Sequence, residues 1–110
     1  MLKSRIHRVR VTEVNIEYEA SITIDDLLME AADILPFEKV QVLDINNGSR
    51  FETYAMKGGP GVICVNGAAA RLVAKGDVVI ILAYSQVSDI DTPSHKPRLV
   101  YVDAQNRIER

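Results

Sequence analysis

Apolar and polar positions alternate with a period of two along most of this chain, in runs of four to eleven residues. In "IEYEA", Ile16, Tyr18 and Ala20 fall on one face of an extended chain, and Glu17 and Glu19 on the other. Alternation of this kind predicts strands over 5–12, 15–20, 39–45, 50–56, 62–65, 77–87 and 98–102, with "ITI" at 22–24 resuming strand character. Between residues 15–20 and "ITI" stands Ala20-Ser21, with no Gly, Asn or Pro to make a turn there. Turn chemistry separates the other runs. "INNGSR" carries the Asn-Gly of a tight hairpin, "KGGPG" reads as a hairpin reversal, "AKGD" marks a further one, and "SDIDTPSHKP" is a polar surface loop. Helical patterning is short: Asp25 is expected to cap "DLLMEAADI", where Leu27, Leu28, Ala31 and Ala32 make an apolar stripe, and "NGAAARLV" holds one or two turns.

Many short strands with interrupted helices in 110 residues predict one mainly β domain, closed into a small barrel so that no sheet edge is exposed. The hydrophobic fraction of 47% and charged fraction of 25% are those of an ordinary globular core and surface. A net charge of −2 gives no electrostatic reason to expect nucleic acid. The basic "KSRIHRVR" divides as a strand into Arg5, His7, Val9 and Val11 on one face and Ile6, Arg8, Arg10 and Thr12 on the other, which splits its charge. No run approaches the ~20 apolar residues of a membrane span and no leader pattern opens the chain, so the expected location is the cytoplasm.

Familiar catalytic patterns are missing. His7 and His95 stand apart with no HExxH or HxH spacing, so no metal is expected, and no GxSxG surrounds Ser21, Ser49, Ser85 or Ser88. The glycines of "GGPG" lack the lysine and helix of a phosphate loop. The single cysteine, Cys64, lies in apolar "GVICVNG" and reads as a small buried hydrophobe. What is left is a set of polar residues on or beside apolar strands: Arg5, His7, Tyr18, Ser21, Arg50, Thr53, Tyr54 and Asn66. Composition and periodicity do not assemble them into a site.

"IHRVRVT" followed by "YEASITID", "NNGSRFETYA", "VNGAAAR" and "GDVVIILAY" resembles, in order and over nearly the whole chain, the aspartate 1-decarboxylase family of pyruvoyl-dependent enzymes. The resemblance implies a six-stranded double-psi β-barrel with short helices, assembled as a homotetramer with active sites between neighbouring subunits. It implies decarboxylation of L-aspartate to β-alanine, which feeds pantothenate and coenzyme A synthesis. The cofactor would be a pyruvoyl group made by the chain itself. Ser21 attacks the Ala20 carbonyl, and the products are residues 1–20 and a chain of 21–110 that begins with the converted Ser21 and holds substrate as a Schiff base.

By the same resemblance Thr53 supplies the donor for the oxyanion formed in processing, Tyr54 is the proton donor in turnover, and Arg50 pairs with a substrate carboxylate. Tyr18 and Asn66 line the site, Gly67, Ala68 and Ala69 give backbone contacts, and His7 supports. An accessory protein that promotes processing is a further implied partner. Two positions depart from the family. Ala20 stands where glycine is usual before the processed serine; were φ positive there, alanine would add about 1–2 kcal/mol of strain. Arg5 stands where lysine is general; it keeps the charge that holds a substrate carboxylate but changes its shape, so it bears on substrate preference. These departures are the support for an alternative, an unprocessed and catalytically silent barrel acting as a binding or assembly module. A DNA-binding relative of small swapped-hairpin proteins would need a clustered basic surface.

Overall fold

The computed structural model describes residues 1–109. Eight strands run β1 (Leu2–Arg10), β2 (Glu13–Asn15), β3 (Ser21–Asp25), β4 (Lys39–Asp44), β5 (Arg50–Gly58), β6 (Ile63–Asn66), β7 (Val78–Tyr84) and β8 (Arg98–Tyr101), with one α-helix, α1 (Asp26–Ala32), and short 3-10 turns at Gly67–Arg71 and Thr92–Ser94. Hydrogen bonding orders them β2-β6-β3-β5-β4-β7-β1-β8. The six strands implied by the resemblance are joined by short β2 and by β8, which alternation predicts at 98–102, each paired to a single neighbour. β1 and β2 sit towards opposite ends of that order, yet only Val11 and Thr12 separate them in sequence, and the Thr12 amide donates to Ile63 O at 2.8 Å. The three steps from Arg10 to Glu13 span at most about 11 Å, so the ends meet and the sheet curls into a barrel.

The barrel interior is filled by one parity of each strand. Ile22 and Ile24 of β3, Val40 and Val42 of β4, Ile63 and Val65 of β6, and Val79 and Ile81 of β7 are almost fully buried and form one cluster. Asp25 Oδ1 accepts the Leu27 amide at 2.8 Å and starts α1, whose buried residues are Leu28, Met29 and Ala32. Leu27 is exposed rather than part of the stripe, because the seven-residue helix meets the barrel along its Leu28–Met29–Ala32 edge.

Three expectations are corrected. Residues 16–20 are a turn, not a strand: Asn15 Oδ1 accepts the Glu17 amide at 3.1 Å and bends the chain, leaving Ile16 and Tyr18 exposed. In β1 a bulge with Arg8 at φ 63° shifts the register between Ile6 and Val9, so both are buried and the faces swap partway along the strand. His7, Arg8 and Arg10 consequently border one cavity instead of being split between faces, together with Asp103 and Glu109. "KGGPG" reverses the chain but joins no hairpin, since β3 lies between β5 and β6, parallel to the first and antiparallel to the second. The "INNGSR" hairpin does form, between antiparallel β4 and β5, with Asp44 Oδ1 accepting the Asn46 and Asn47 amides at 2.8 and 3.3 Å.

Candidate functional site

Ser21 opens β3 immediately after the exposed 16–20 turn, and the change of environment is abrupt: Ala20 is exposed, Ser21 only 1% so. β3 pairs antiparallel with β6, which sets Ser21 opposite Asn66 and Thr23 opposite Cys64. The period of two points these four side chains to the side of the sheet away from Ile22, Ile24, Ile63 and Val65. Asn66 Nδ2 donates to Ser21 Oγ and to Thr23 Oγ1, both at 3.1 Å, and the Cys64 thiol donates to Asn66 Oδ1 at 3.1 Å. The Ser21 hydroxyl donates to Glu19 O at 3.1 Å. Burial, and after it the nearby Glu13 carboxylate, push the Cys64 thiol above its ordinary range, so it stays protonated and able to donate.

Gly67 follows Asn66 at φ 73° and is buried against the turn. A methyl group there would lie 2.7 Å from Ala20 Cα and 2.8 Å from Ala20 N, closer than side chains approach a backbone. Glycine is thus what allows the Ala20 segment to lie on the end of β6. Ala20 itself is not in the left-handed region, which among non-glycine residues holds Arg8, Asp33, Phe37 and Asn106. The strain that alanine would carry at positive φ is absent, and its methyl sits over the space left by Gly67. Ala68 and Ala69 continue into the 3-10 turn, exposed and half-buried respectively.

β5 brings a second set. It runs parallel to β3 with Ile22 level with Ala55, so one residue back along both strands sets Ser21 beside Tyr54. Tyr54 has the parity opposite to core-facing Ala55 and hence lies on the Ser21 side of the sheet; its ring stacks on Phe37 with centroids 6.1 Å apart. Thr53 is level with Ala20 by the same count but on the other face, half-buried. Arg50 is exposed, four residues or about 13 Å along the strand from Tyr54.

Arg5 and His7 stand apart from this group. They lie on β1, with β5, β4 and β7 between it and β3. Arg5 Nε and His7 Nδ1 are buried without a hydrogen-bond partner. Tyr101 of β8 contacts both: its hydroxyl is 3.4 Å from an Arg5 terminal nitrogen, and its ring meets His7 edge-on at 5.7 Å. Burial lowers the His7 pKa, and the Arg5 and Arg8 charges lower it further, so the imidazole is neutral at pH 7.

One chain therefore gathers Ala20, Ser21, Asn66, Gly67 and, by register, Tyr54, and leaves Arg5, His7 and Arg50 elsewhere. An open cleft of about 360 Å³ adjoins the serine group, bordered by Tyr18, Thr23, Cys64 and Asn66 and by the charged Glu13 and Lys57. Thr23, Cys64 and Tyr101 are not among the site candidates that the sequence offers, where Cys64 reads only as a small buried hydrophobe. The spacing of Ser21 to Thr23 and of Cys64 to Asn66, two residues each, holds the trace of the first two. Among the described residues no group of three or more His, Cys, Asp or Glu side chains is placed to hold a metal ion, and no helix is long and apolar enough to cross a membrane.

The family model described as aspartate decarboxylase matches residues 1–109. An aspartate 1-decarboxylase of Dehalococcoides mccartyi (strain CBDB1) is 57% identical, over all of this chain and 90% of its own. The enzymes of that name from Pelotomaculum thermopropionicum and Thermoanaerobacter pseudethanolicus are 60% and 56% identical, covering 98% and 97% of this chain and 83% and 93% of theirs. Among solved structures, the rationally designed mkDPBB_sym_86 protein, a double-psi β-barrel, superposes with a TM-score of 0.52 over 78% of this chain and 96% of that one, at 14% identity. That likeness concerns the fold alone.

Proposed function

Because this chain belongs to the aspartate decarboxylase family, we propose that it converts L-aspartate to β-alanine and carbon dioxide with a pyruvoyl group that it makes from its own Ser21. The observation that carries the proposal is the setting of one peptide bond. Ala20-Ser21 lies where an exposed turn enters a buried strand, its serine oxygen held by Asn66 and its alanine seated on Gly67. A serine meant for solvent or for simple packing needs neither arrangement.

The proposed self-cleavage runs through these atoms. Ser21 Oγ adds to the Ala20 carbonyl carbon, the Ala20 C–N bond breaks, and the Ser21 nitrogen takes the hydroxyl proton, leaving an ester. Loss of the Ser21 α-proton expels the Ala20 carboxylate by cleavage of the Cβ–Oγ bond. Water then replaces the nitrogen, which departs as ammonia. Residues 1–20 end in the Ala20 carboxylate, and residues 21–110 begin with a pyruvoyl group. Thr53, level with Ala20 on β5, is the proposed donor to the oxyanion. The residues fit the group: once Ser21 Oγ has gone, Asn66 Nδ2 remains as a buried donor beside that carbon, and Gly67 keeps the wall open.

When formed, the pyruvoyl group supplies a carbonyl that condenses with the substrate amine and an electron sink for the pair released with carbon dioxide. Tyr54, on the same face as Ser21, returns a proton to carbon. Arg50 and Arg5 hold the substrate carboxylates through charge-assisted hydrogen bonds, and Tyr18 with Asn66 walls the cleft. Ala68 and Ala69 offer backbone contacts, and His7 backs Arg5. Arg5 and His7 lie on β1, which pairs with β7 and β8 and not with β3, β5 or β6, so they are assigned to the site of a neighbouring subunit in a homotetramer. The product serves pantothenate and coenzyme A synthesis in the cytoplasm, and an accessory protein is an allowed aid to processing.

Denaturing intact-mass analysis of the purified protein tests this reading. Two species are expected, residues 1–20 and residues 21–110 with an N-terminal pyruvoyl. A single uncut chain that does not release carbon dioxide from aspartate overturns it. The silent-barrel alternative predicts that outcome, and the buried, tethered Ser21 speaks against it.

A further inference from the structure

Asn66 is held from both ends of its amide, and the group at one end has no part in the chemistry above. An sp³ hydroxyl oxygen has one proton and two lone pairs. At Ser21 the proton points to Glu19 O and one lone pair accepts Asn66 Nδ2, which leaves a single lone pair free and the rotor fixed. That description holds only while Nδ2, and not Oδ1, faces the serine. An amide turned over would offer Oδ1 to Ser21 and Thr23. Both hydroxyls would then donate to it, and the Ser21 proton would leave Glu19.

The geometry points to Cys64 as a positioning residue for self-cleavage, its S–H donating to Asn66 Oδ1 and keeping the amide turned with Nδ2 towards Ser21. The inference rests on the self-cleavage reading and adds to it a residue outside the reacting atoms. The thiol suits the task because it is 7% exposed and kept protonated by burial and by Glu13, so Oδ1 always meets a donor. In the turned-over amide the sulfur would have to accept an N–H, and sulfur accepts weakly. Thr23 Oγ1 takes the second Nδ2 proton and completes the hold.

Valine conserves the size and apolar character of Cys64 and suits a strand, but it cannot donate; serine can. Cleavage is timed by intact mass on samples drawn from a pulse of cell-free synthesis. A Ser21 rotor freed among its three staggered positions loses roughly threefold in attack-ready population, so Cys64→Val is expected to cut at least about threefold more slowly. Cys64→Ser stays within about twofold of the parent rate, as a merely space-filling role would not require. Thr23→Val, which removes the other hold and leaves the sulfur in place, slows cleavage in the same sense and serves should Cys64→Val fail to fold. Parent-rate cleavage in the folded valine variants overturns the inference alone. Equal slowing by Cys64→Ser and Cys64→Val also overturns it, because the donor would then be irrelevant. An uncut parent chain overturns the self-cleavage reading and this inference with it.

Discussion

Replacing Gly67 by alanine adds one methyl group at a point 2.7 and 2.8 Å from two Ala20 backbone atoms, on a residue whose φ is 73°. Two costs arise and they part ways. Alanine in the left-handed region costs about 1–2 kcal/mol, and no neighbour can relieve it. The contact can be relieved, because Ala20 ends an exposed turn and can retreat by about 0.7 Å to ordinary contact distance. Folding therefore pays chiefly the first cost, a fall in Tm of roughly 5–15 °C for a domain of this size. Cleavage bears the second, since misplacing a reacting carbonyl by about 1 Å costs on the order of 100-fold. Gly48 supplies the control, with φ 77° and nothing within 4 Å of an added methyl. Gly48→Ala is expected to lose similar stability and to cut at the parent rate. Thermal melts and timed intact-mass sampling of the two variants separate the effects. Equal cleavage rates for Gly67→Ala and Gly48→Ala would refute the assignment of Ala20 as the attacked residue.

Away from the site, burial and then the nearby Asp77 raise the Asp44 pKa, and the Asp44 side chain lowers that of Asp77. Stability linked to Asp44 is lost as pH rises through its raised pKa, and that linked to Asp77 is lost as pH falls through its lowered one. Asp44→Asn, which mimics the protonated acid, should remove the decline on the alkaline side; parallel Tm-against-pH curves for the two proteins would rule this out. Arg5→Lys should change kcat/KM for aspartate relative to other small acidic amino acids, and equal values would dismiss a role for the arginine shape in preference. The His7 imidazole should titrate by NMR below its ordinary 6.5, with a higher midpoint in Arg8→Ala; a midpoint at or above 6.5 in the parent would contradict the burial argument.

Local chemistry was legible wherever one residue decides the structure. The Asn-Gly hairpin and the Asp25 cap needed no distant partner, and both formed as read. Alternation misled where a side chain overrode it. The Asn15 carbonyl bends a stretch that alternates perfectly, and the Arg8 bulge reverses the parity of β1 at a position where pattern shows only another arginine. The site lay beyond such reading because Ser21 and Asn66 are 45 residues apart and meet only through the insertion of β3 between β5 and β6. Cys64 was read as a buried hydrophobe, which its 7% exposure agrees with. Its donation to Asn66, two residues on along the same strand, needs Asn66 to be turned with Nδ2 towards Ser21 and Thr23 of β3, and nothing in "GVICVNG" announces that.

Strand parity also decides what the site lacks. Ser21, Thr23, Cys64 and Asn66 are of the parity opposite to Ile22, Ile24, Ile63 and Val65, so they lie on the outer wall of the barrel, with Tyr54 of the same parity next to them. In one chain Thr23, Cys64 and Asn66 of that wall border an open cleft, whereas decarboxylation gains from a water-poor setting. Exposed Ile16, Tyr18, Leu35 and Phe37 nearby supply apolar surface for a cover. If a neighbouring subunit provides it along with Arg5, then Arg5→Ala and Tyr54→Phe chains, each inactive alone, complement each other. Random mixing within a tetramer leaves about a quarter of the sites with both native residues, and activity near that fraction of the parent is expected on co-expression. A site built from one chain has no such mixed solution, and activity that stays at the level of the single variants would place Arg5 and Tyr54 in the same subunit.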